Sequence, residues 1–378
     1  MKLSGIRVID LSVFLPGPYL TLVMADHGAE VIKIEAPNGG DPGRHIGLSD
    51  GPSSVFFRNL NRGKKSVVLD LKSEAGRDAL LDLCETADVF VEGFRPGVVD
   101  RLGIGYDAIR ARNPGIIYCS ISAFGQDGPY RDRPAHDLAL EAISGVLSNT
   151  LGSDGKPTHP GVAIADMMAG LHGLSGVLMA LYSREKTGEG DYIDIAMQDA
   201  LVAAMPNILG PVFAESRQPD TKRERTTGGA AFYQIYETAD GKQIVIAGQE
   251  EKFIRTLLGA LGRPDLIDLC LAGPGAHQAP AISFLRGVFA EKTQDEWLAW
   301  LSKLDVCFAP VNTIPEGLAD PNLLARGSIL IDGLGRRHVG PPVRFTSDPA
   351  APNLTEPKLG EHTEEILASL GTKKKRSA

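Results

Sequence analysis

The sequence has few cysteines and few aromatic residues, and its cysteines form no metal-site or disulfide pattern. Only 6% of the 378 residues are aromatic. The four cysteines are far apart in apolar surroundings and include no CxxC pair; they are Cys84, Cys119, Cys270 and Cys307. We therefore expect reduced cysteines in the core, no metal site and no tightly bound cofactor.

Long hydrophobic runs and excess positive charge are also missing. The apolar stretches are far shorter than the roughly 18 residues that cross a bilayer. The start, Met1 to Gly5, lacks a basic region followed by an apolar run. The formal net charge of -8 argues against a basic face for nucleic acid. We expect a cytoplasmic protein with no nucleic-acid or membrane partner.

The length and the composition, 43% hydrophobic and 23% charged, are typical of a globular protein of two domains. The stretch 217–227 is rich in charge and threonine and reads as a linker. We predict a large domain over 1–216, a small α+β domain over 228–325, and a C-terminal segment, 326–378, that returns to the large domain. The basic run 373–376 is expected to be a solvated end.

Strand and helix patterns alternate in the first half of the chain. A buried strand at 6–11 is followed by an apolar helix at 19–27, closed by Gly28, and by a strand at 30–35. The pattern continues with strands at 66–70, 88–92, 115–122 and 192–197, and with helices at 73–84 and 162–183. This order predicts an α/β fold with a Rossmann-like parallel sheet. No GxGxxG follows the first strand, so the fold alone does not indicate a dinucleotide site.

His136 and Asp166 are the two candidate catalytic side chains. His136 lies in a loop that follows a strand and precedes an apolar helix, where α/β folds place ligands. The structural alternative is a helix-capping histidine. Asp166 lies inside the apolar run 161–170, where an ionised carboxylate is costly without partners. Its alternative is an N-cap, whose free amides could receive a developing oxyanion. Glu250, by contrast, reads as an ordinary first-turn helix glutamate.

Five segments in this order resemble family III CoA-transferases, which also include the carnitine/bile-acid CoA-transferases and the α-methylacyl-CoA racemases. The segments are 3–11, 28–35, 69–72, 88–97 and 184–200. The resemblance implies a Rossmann-like large domain with a smaller α+β domain, an interlocked homodimer, and coenzyme A bound as part of an acyl-CoA thioester substrate. Branched 2-methylacyl chains from lipid metabolism are a further expectation.

The same resemblance implies a set of coenzyme A contacts. They are Leu69, Asp70, Leu71, Lys72, Gly93, Phe94, Arg95, Pro96, Gly97, Arg101, Ala135 and Asp137. The lysine and the two arginines of this set suit phosphate groups. One departure stands out, because Ala36 occupies a position where many relatives have arginine. Lys33 or Arg44 is expected to replace it.

The resemblance leaves the reaction open, because Asp166 is used by both branches of the family. The pair His136-Asp137 favours the racemase branch, in which His136 and Asp166 would move protons on opposite faces of a planar enolate. Glu250 would orient His136, and the Asp166 amide would stabilise the enolate oxygen. In the alternative, Asp166 attacks the thioester and passes coenzyme A to a carboxylic acid acceptor. The second alternative is a coenzyme A-binding module without turnover.

Overall fold

The structure is a computed structural model that describes residues 1–374, so the end of the basic run 373–376 lies outside the described part. The chain divides into two compact units. Among the described residues, unit 1 comprises 1–144, 161–204 and 321–374, and unit 2 comprises 145–160 and 205–320. Unit 2 thus includes 145–160 and 205–216, which the sequence analysis assigned to the large domain.

Unit 1 is built on a six-stranded parallel sheet. Its strands are β1 (Arg7–Asp10), β2 (Glu30–Glu35), β3 (Lys65–Val68), β4 (Val89–Glu92), β5 (Ile117–Ser122) and β6 (Asp191–Ala196). Their order is β3-β2-β1-β4-β5-β6, and every pair is parallel. β4 and β5 are buried along their whole length, as expected for a sheet covered on both faces. The predicted α/β class is confirmed.

The helices connect these strands and continue into unit 2. In chain order they are α1 (Pro16–Asp26), α2 (Val55–Asn61), α3 (Glu74–Cys84), α4 (Val98–Arg101), α5 (Tyr106–Arg112), α6 (Asp137–Ile143), α7 (Val146–Asn149), α8 (Ile164–Thr187), α9 (Met197–Ala203), α10 (Gly210–Glu215), α11 (Glu251–Ala260), α12 (Ile267–Leu271), α13 (Ala279–Phe289), α14 (Gln294–Leu301), α15 (Ile314–Leu318), α16 (Pro321–Ala325) and α17 (Thr363–Lys374). Helix α1 begins three residues before its predicted start, because proline fits a first helical turn. Gly28, with a φ of 103°, follows its end as predicted.

Helix α8 lies close against α1, as its small residues suggest. A Cβ added at Gly170 would lie 2.7 Å from the Pro16 carbonyl oxygen, and one at Gly173 would lie 2.8 Å from Leu20. With 24 residues, α8 is long and apolar enough to cross a bilayer by length and composition. However, Ala165, Ala169, Gly173, Val177 and Leu181 are buried along one face of the helix, as in the core helix of a globular unit.

Unit 2 contains an antiparallel sheet of three strands, β7 (Gln234–Glu237), β8 (Gln243–Ile246) and β9 (Phe308–Pro310). The expected turn lies between β7 and β8, where Gly241 adopts a φ of 75°. Its helices enclose a core of its own around Trp297 and Phe289. A small hairpin of β10 (Ile329–Ile331) and β11 (Arg337–Val339) belongs to unit 1.

The four cysteines are free thiols, and three of them are buried as expected. The exception is Cys307, which is exposed, so its assignment to the core is wrong. It follows the end of α14 and precedes the short strand β9, where the chain runs near the surface. Within residues 1–374, no three His, Cys, Asp or Glu side chains are grouped as metal ligands would be.

Candidate active site

Two adjoining cavities lie at the carboxyl edge of the parallel sheet. The strand order changes direction between β1 and β4, and α/β folds bind ligands at such a point. The first, here called the β1–β4 cavity, has a volume of about 330 Å³. It is lined by residues within 12–17, 93–96, 121–123 and 131–136, and by Asp166 and Met197. The second, here called the β2–β3 cavity, has a volume of about 350 Å³ and is lined mainly by residues within 34–42 and 69–72. Val13 and Phe94 line both.

The cavities bring together most of the site residues predicted from sequence. The β1–β4 cavity contains Gly93, Phe94, Arg95, Pro96, Ala135, His136 and Asp166. The β2–β3 cavity contains Leu69, Asp70, Leu71 and Lys72. Gly97, Arg101 and Asp137 do not line either cavity. Glu250 belongs to unit 2, where it precedes α11 without a capping bond from its side chain. Its partnership with His136 stays a prediction.

Asp166 is the third residue of α8, and Asp137 caps the helix in its place. Asp137 Oδ1 accepts the backbone N–H groups of Ala165 at 2.8 Å and of Asp166 at 3.2 Å. The residue at the N-cap position, Ala163, has no side chain that could do this. The structural alternative for Asp166 and the role expected of its amide are therefore both wrong. Asp166 is not the N-cap, and its amide is not free to stabilise an oxyanion because Asp137 already accepts it.

The surroundings of Asp166 favour its neutral form more than water does. Burial raises the pKa of Asp166 to about 7, and the negative charge of Asp137 adds to the rise. A carboxyl group with such a pKa is present in both protonation states near neutral pH. It can therefore exchange protons, and its ionised form is a more basic nucleophile than an ordinary aspartate.

His136 is held beside a strained aromatic residue. It occupies the N-cap position of α6, but its side chain makes no capping bond, so the structural alternative of a capping histidine is not what the side chain does. Its ring meets the edge of Phe14 at a centroid distance of 6.0 Å. Phe14 has a φ of 63°, a costly conformation for a residue with a Cβ. Sequence reasoning missed Phe14, and its only signal is the proline-rich turn that follows.

A buried lysine fixes the loop that carries Phe14. Lys33 Nζ donates to the Ser12 carbonyl oxygen at 2.7 Å and pairs with Asp41 at 2.8 Å. Arg44 is likewise occupied, because it pairs with Glu35 at 2.7 Å. Both cations are buried. The expectation that one of them replaces the arginine missing at Ala36 is therefore wrong, since neither can reach a ligand.

Two further arginines line the β1–β4 cavity and were missed. Arg131 and Arg133 join Arg95 there, and all three are exposed. The Arg131 and Arg101 guanidinium groups both approach Gly97, at 3.6 and 3.3 Å from a Cβ placed there. Their signal in the sequence is a loop with two arginines just before His136. Such a cluster suits phosphate or carboxylate groups.

Comparisons with known proteins identify the family of the chain. The sequence model of the family described as CoA-transferase family III matches residues 3–363. A succinate–glutarate CoA-transferase from Agrobacterium fabrum is 34% identical, over 98% of this chain and 96% of that protein. An acetyl-CoA:oxalate CoA-transferase from Acetobacter aceti is 34% identical, over 93% of each. The crystal structure of a CAIB/BAIF family protein from Brucella suis superposes with a TM-score of 0.84 at 32% identity, covering 97% of this chain and 99% of that one. The chain is an enzyme of CoA-transferase family III.

Proposed function

We propose that the protein transfers coenzyme A from an acyl-CoA thioester to a carboxylic acid, with Asp166 as the nucleophile. The observation that carries the proposal is the Asp166 carboxyl group, which lines a cavity at the switch point of the sheet in a member of this family. The relatives named above are transferases, so the racemase reaction, placed first from the His136-Asp137 pair, gives way to transfer. His136 then positions the substrate.

The proposed reaction uses one carboxylate twice. Ionised Asp166 attacks the thioester carbonyl carbon, the C–S bond breaks, and an acyl-aspartyl anhydride forms with release of the coenzyme A thiolate. The thiolate attacks the aspartyl carbonyl, which expels the donor acid and leaves an aspartyl thioester. The acceptor carboxylate attacks that thioester to form a second anhydride. The released thiolate then attacks the acceptor carbonyl, which gives the new acyl-CoA and restores Asp166.

The two cavities suggest where the parts of the thioester bind. The apolar side chains of the β2–β3 cavity, with Lys72 at its edge, suit the nucleotide end of coenzyme A. Arg95 and Arg101 suit its phosphates. Because Val13 and Phe94 line both cavities, the pantetheine arm would pass them to reach Asp166 in the β1–β4 cavity.

The acceptor in this proposal is a short dicarboxylic acid. The β1–β4 cavity of about 330 Å³ is at the small end of ligand sites, which span about 300–1,000 Å³. One carboxylate of the acceptor would meet the aspartyl thioester. The guanidinium groups of Arg131 and Arg133 can pair with the other one. The names of two relatives, which act on succinate with glutarate and on oxalate, fit this class.

The interlocked homodimer implied by the family resemblance is also part of the proposal. Helix α8 exposes a row of apolar side chains on the face away from the sheet. Met179 and Tyr182 are each 67% exposed, and Leu171 and Leu178 are 40% and 41% exposed. A contiguous apolar face of this kind is typical of an interface. A second copy of the chain would cover it.

Proton NMR of a single-enantiomer 2-methylacyl-CoA in deuterated water, with and without added succinate, tests the reaction. We expect a new thioester that depends on succinate and an unchanged α-proton signal. Because only ionised Asp166 attacks, the transfer rate should rise as the pH increases through about 7. Exchange of the α-proton without an acceptor would instead establish the racemase reaction.

The variant Asp166→Ala removes the nucleophile and should lower kcat for transfer by roughly 10³-fold or more, as loss of a covalent nucleophile does in other enzymes. The matched control is Asp78→Asn on α3, because the Asp78 side chain is 51% exposed and lines neither cavity. It should retain the wild-type rate. Full activity of Asp166→Ala would exclude the aspartyl intermediates and with them the proposed function.

A further inference from the structure

Glu141 is a buried acid that the proposed reaction does not use. Its side chain is 0% exposed, and neither carboxyl oxygen has a hydrogen bond of normal geometry from the described residues; the nearby Ile164 amide lowers the pKa of Glu141 less than burial and Asp137 raise it. It lies one turn after Asp137 on α6, so the two side chains share a face of that helix. A buried ionised carboxylate with so little hydrogen bonding is costly at such a site. The buried Glu141 carboxyl group is therefore more stable when it is protonated and donates a hydrogen bond.

Asp137 can accept that hydrogen bond. Its Oδ1 atom accepts the two α8 amides. The negative charge of Asp137 raises the pKa of Glu141. It also raises the pKa of Asp166, on α8. A neutral Glu141 can donate its O–H to the Asp137 carboxylate, whereas two ionised carboxylates would repel one another. Burial and Asp137 together raise the pKa of Glu141 to about 7.

We propose that Glu141 is a positioning residue, whose protonated carboxyl group donates a hydrogen bond to Asp137 and thereby holds the first turn of α8, with Asp166, in its working place. The catalytic consequence rests on the proposed function, because it acts through Asp166. The hydrogen bond from Glu141 to Asp137 thus links α6 to the first turn of α8, which carries the nucleophile. No side chain other than Asp137 is needed between them.

This arrangement predicts a bell-shaped pH profile for kcat. Ionisation of Asp166 raises the rate as the pH increases through about 7. Ionisation of Glu141, whose pKa is also about 7, removes the hydrogen bond and adds a negative charge beside Asp137, so the rate falls above pH 7 and the profile is a narrow bell centred near that pH. Burial also raises the pKa of Glu92 to about 7, and Glu92 accepts the Phe94 amide. Substituting Glu141 leaves Glu92 intact, so only the limb that belongs to Glu141 should change.

Two variants and a control test the role of the proton. The amide of Glu141→Gln can donate to Asp137 at every pH, whereas Glu141→Leu cannot donate at all. We expect Glu141→Leu to lower kcat at least about tenfold, with KM for the acyl-CoA changed less than about twofold. Glu141→Gln should restore kcat to within about threefold of wild type and lose the alkaline limb. Glu185→Gln, on the exposed end of α8, should keep the wild-type profile.

Infrared difference spectra give a readout that does not need turnover. The wild-type spectrum minus that of Glu141→Gln should contain the carbonyl stretch of a protonated carboxyl group at pH 6 that is lost at pH 9. The band of the Asp166 carboxyl group is identified from the difference between wild type and Asp166→Ala. That band should titrate at a different pH in Glu141→Leu than in the wild type. Absence of the Glu141 band, or an alkaline limb that survives in Glu141→Gln, overturns the inference. A wild-type enzyme without transfer activity overturns the proposed function instead, and the two infrared titrations then decide the positioning role.

Discussion

At the scale of single residues, a buried charge network supports the loop that forms one wall of the site. Asp10 is 0% exposed and accepts hydrogen bonds from Thr21 at 2.7 Å and from Lys64 at 3.0 Å. Although burial opposes its charge, the positive charges of Lys64 and Lys33 hold the pKa of Asp10 well below its usual range. Burial lowers the pKa of Lys64 to about 8. The same Asp10 accepts the backbone amide of Ser12, where the loop begins.

The substitution Asp10→Asn tests this network. It leaves the buried Lys64 and Lys33 without their shared negative charge, so we expect the free energy of unfolding to fall by about 3–5 kcal/mol. Urea denaturation at pH 7 measures the change. The pKa of Asp10 is lower in the folded state, so its stabilising effect is present above the unfolded pKa near 4 and is lost as the pH decreases. The difference between wild type and variant should therefore shrink in acid.

The control for this experiment is Asp305→Asn. Asp305 is 80% exposed and lies 3.4 Å from Lys252, a surface pair whose loss should cost less than about 1 kcal/mol. Equal losses in the two variants would show that Asp10 contributes no more than a surface charge.

At the scale of elements, the strength of the local pattern decides what the sequence predicts. The strand β2 was predicted with its observed bounds because its apolar run is flanked by Gly28 and Pro37. The cap of α8 was not predicted, because Asp137 lies 28 residues before Ala165 and reaches it only in the folded chain. The φ of 63° at Phe14 was likewise not predicted. Local patterns thus predicted the sheet and placed Asp166, whereas its electrostatic partners required the tertiary structure.

Helix α8 has a second requirement, which is close contact with α1. Gly170→Ala would place a Cβ 2.7 Å from the Pro16 carbonyl oxygen, and backbone must move to accommodate it. We expect thermal denaturation to show a loss of about 1–3 kcal/mol. Because Asp166 lies one turn before Gly170, the transfer rate should fall as well.

Gly259→Ala is the matched control for this substitution. Gly259 lies within α11 and has open space around the added methyl group, so the change should stabilise the protein by about 0.5–1 kcal/mol. If both variants were stabilised, α1 and α8 would not be in the tight contact that the structure describes.

At the scale of the whole molecule, the proposed interlocked homodimer makes a kinetic prediction that an ordinary dimer does not share. Two chains that pass through one another cannot separate unless one of them opens, so exchange of subunits can be no faster than unfolding. Unfolding of stable domains can take on the order of days. Homodimers labelled with ¹⁵N and unlabelled homodimers, mixed in native buffer, should therefore show no mixed species by native mass spectrometry. Unfolding and refolding the mixture in urea should produce mixed dimers at the statistical fraction. Mixed species that form within minutes in native buffer would mean that the exposed face of α8 is covered by a partner held only by surface contact.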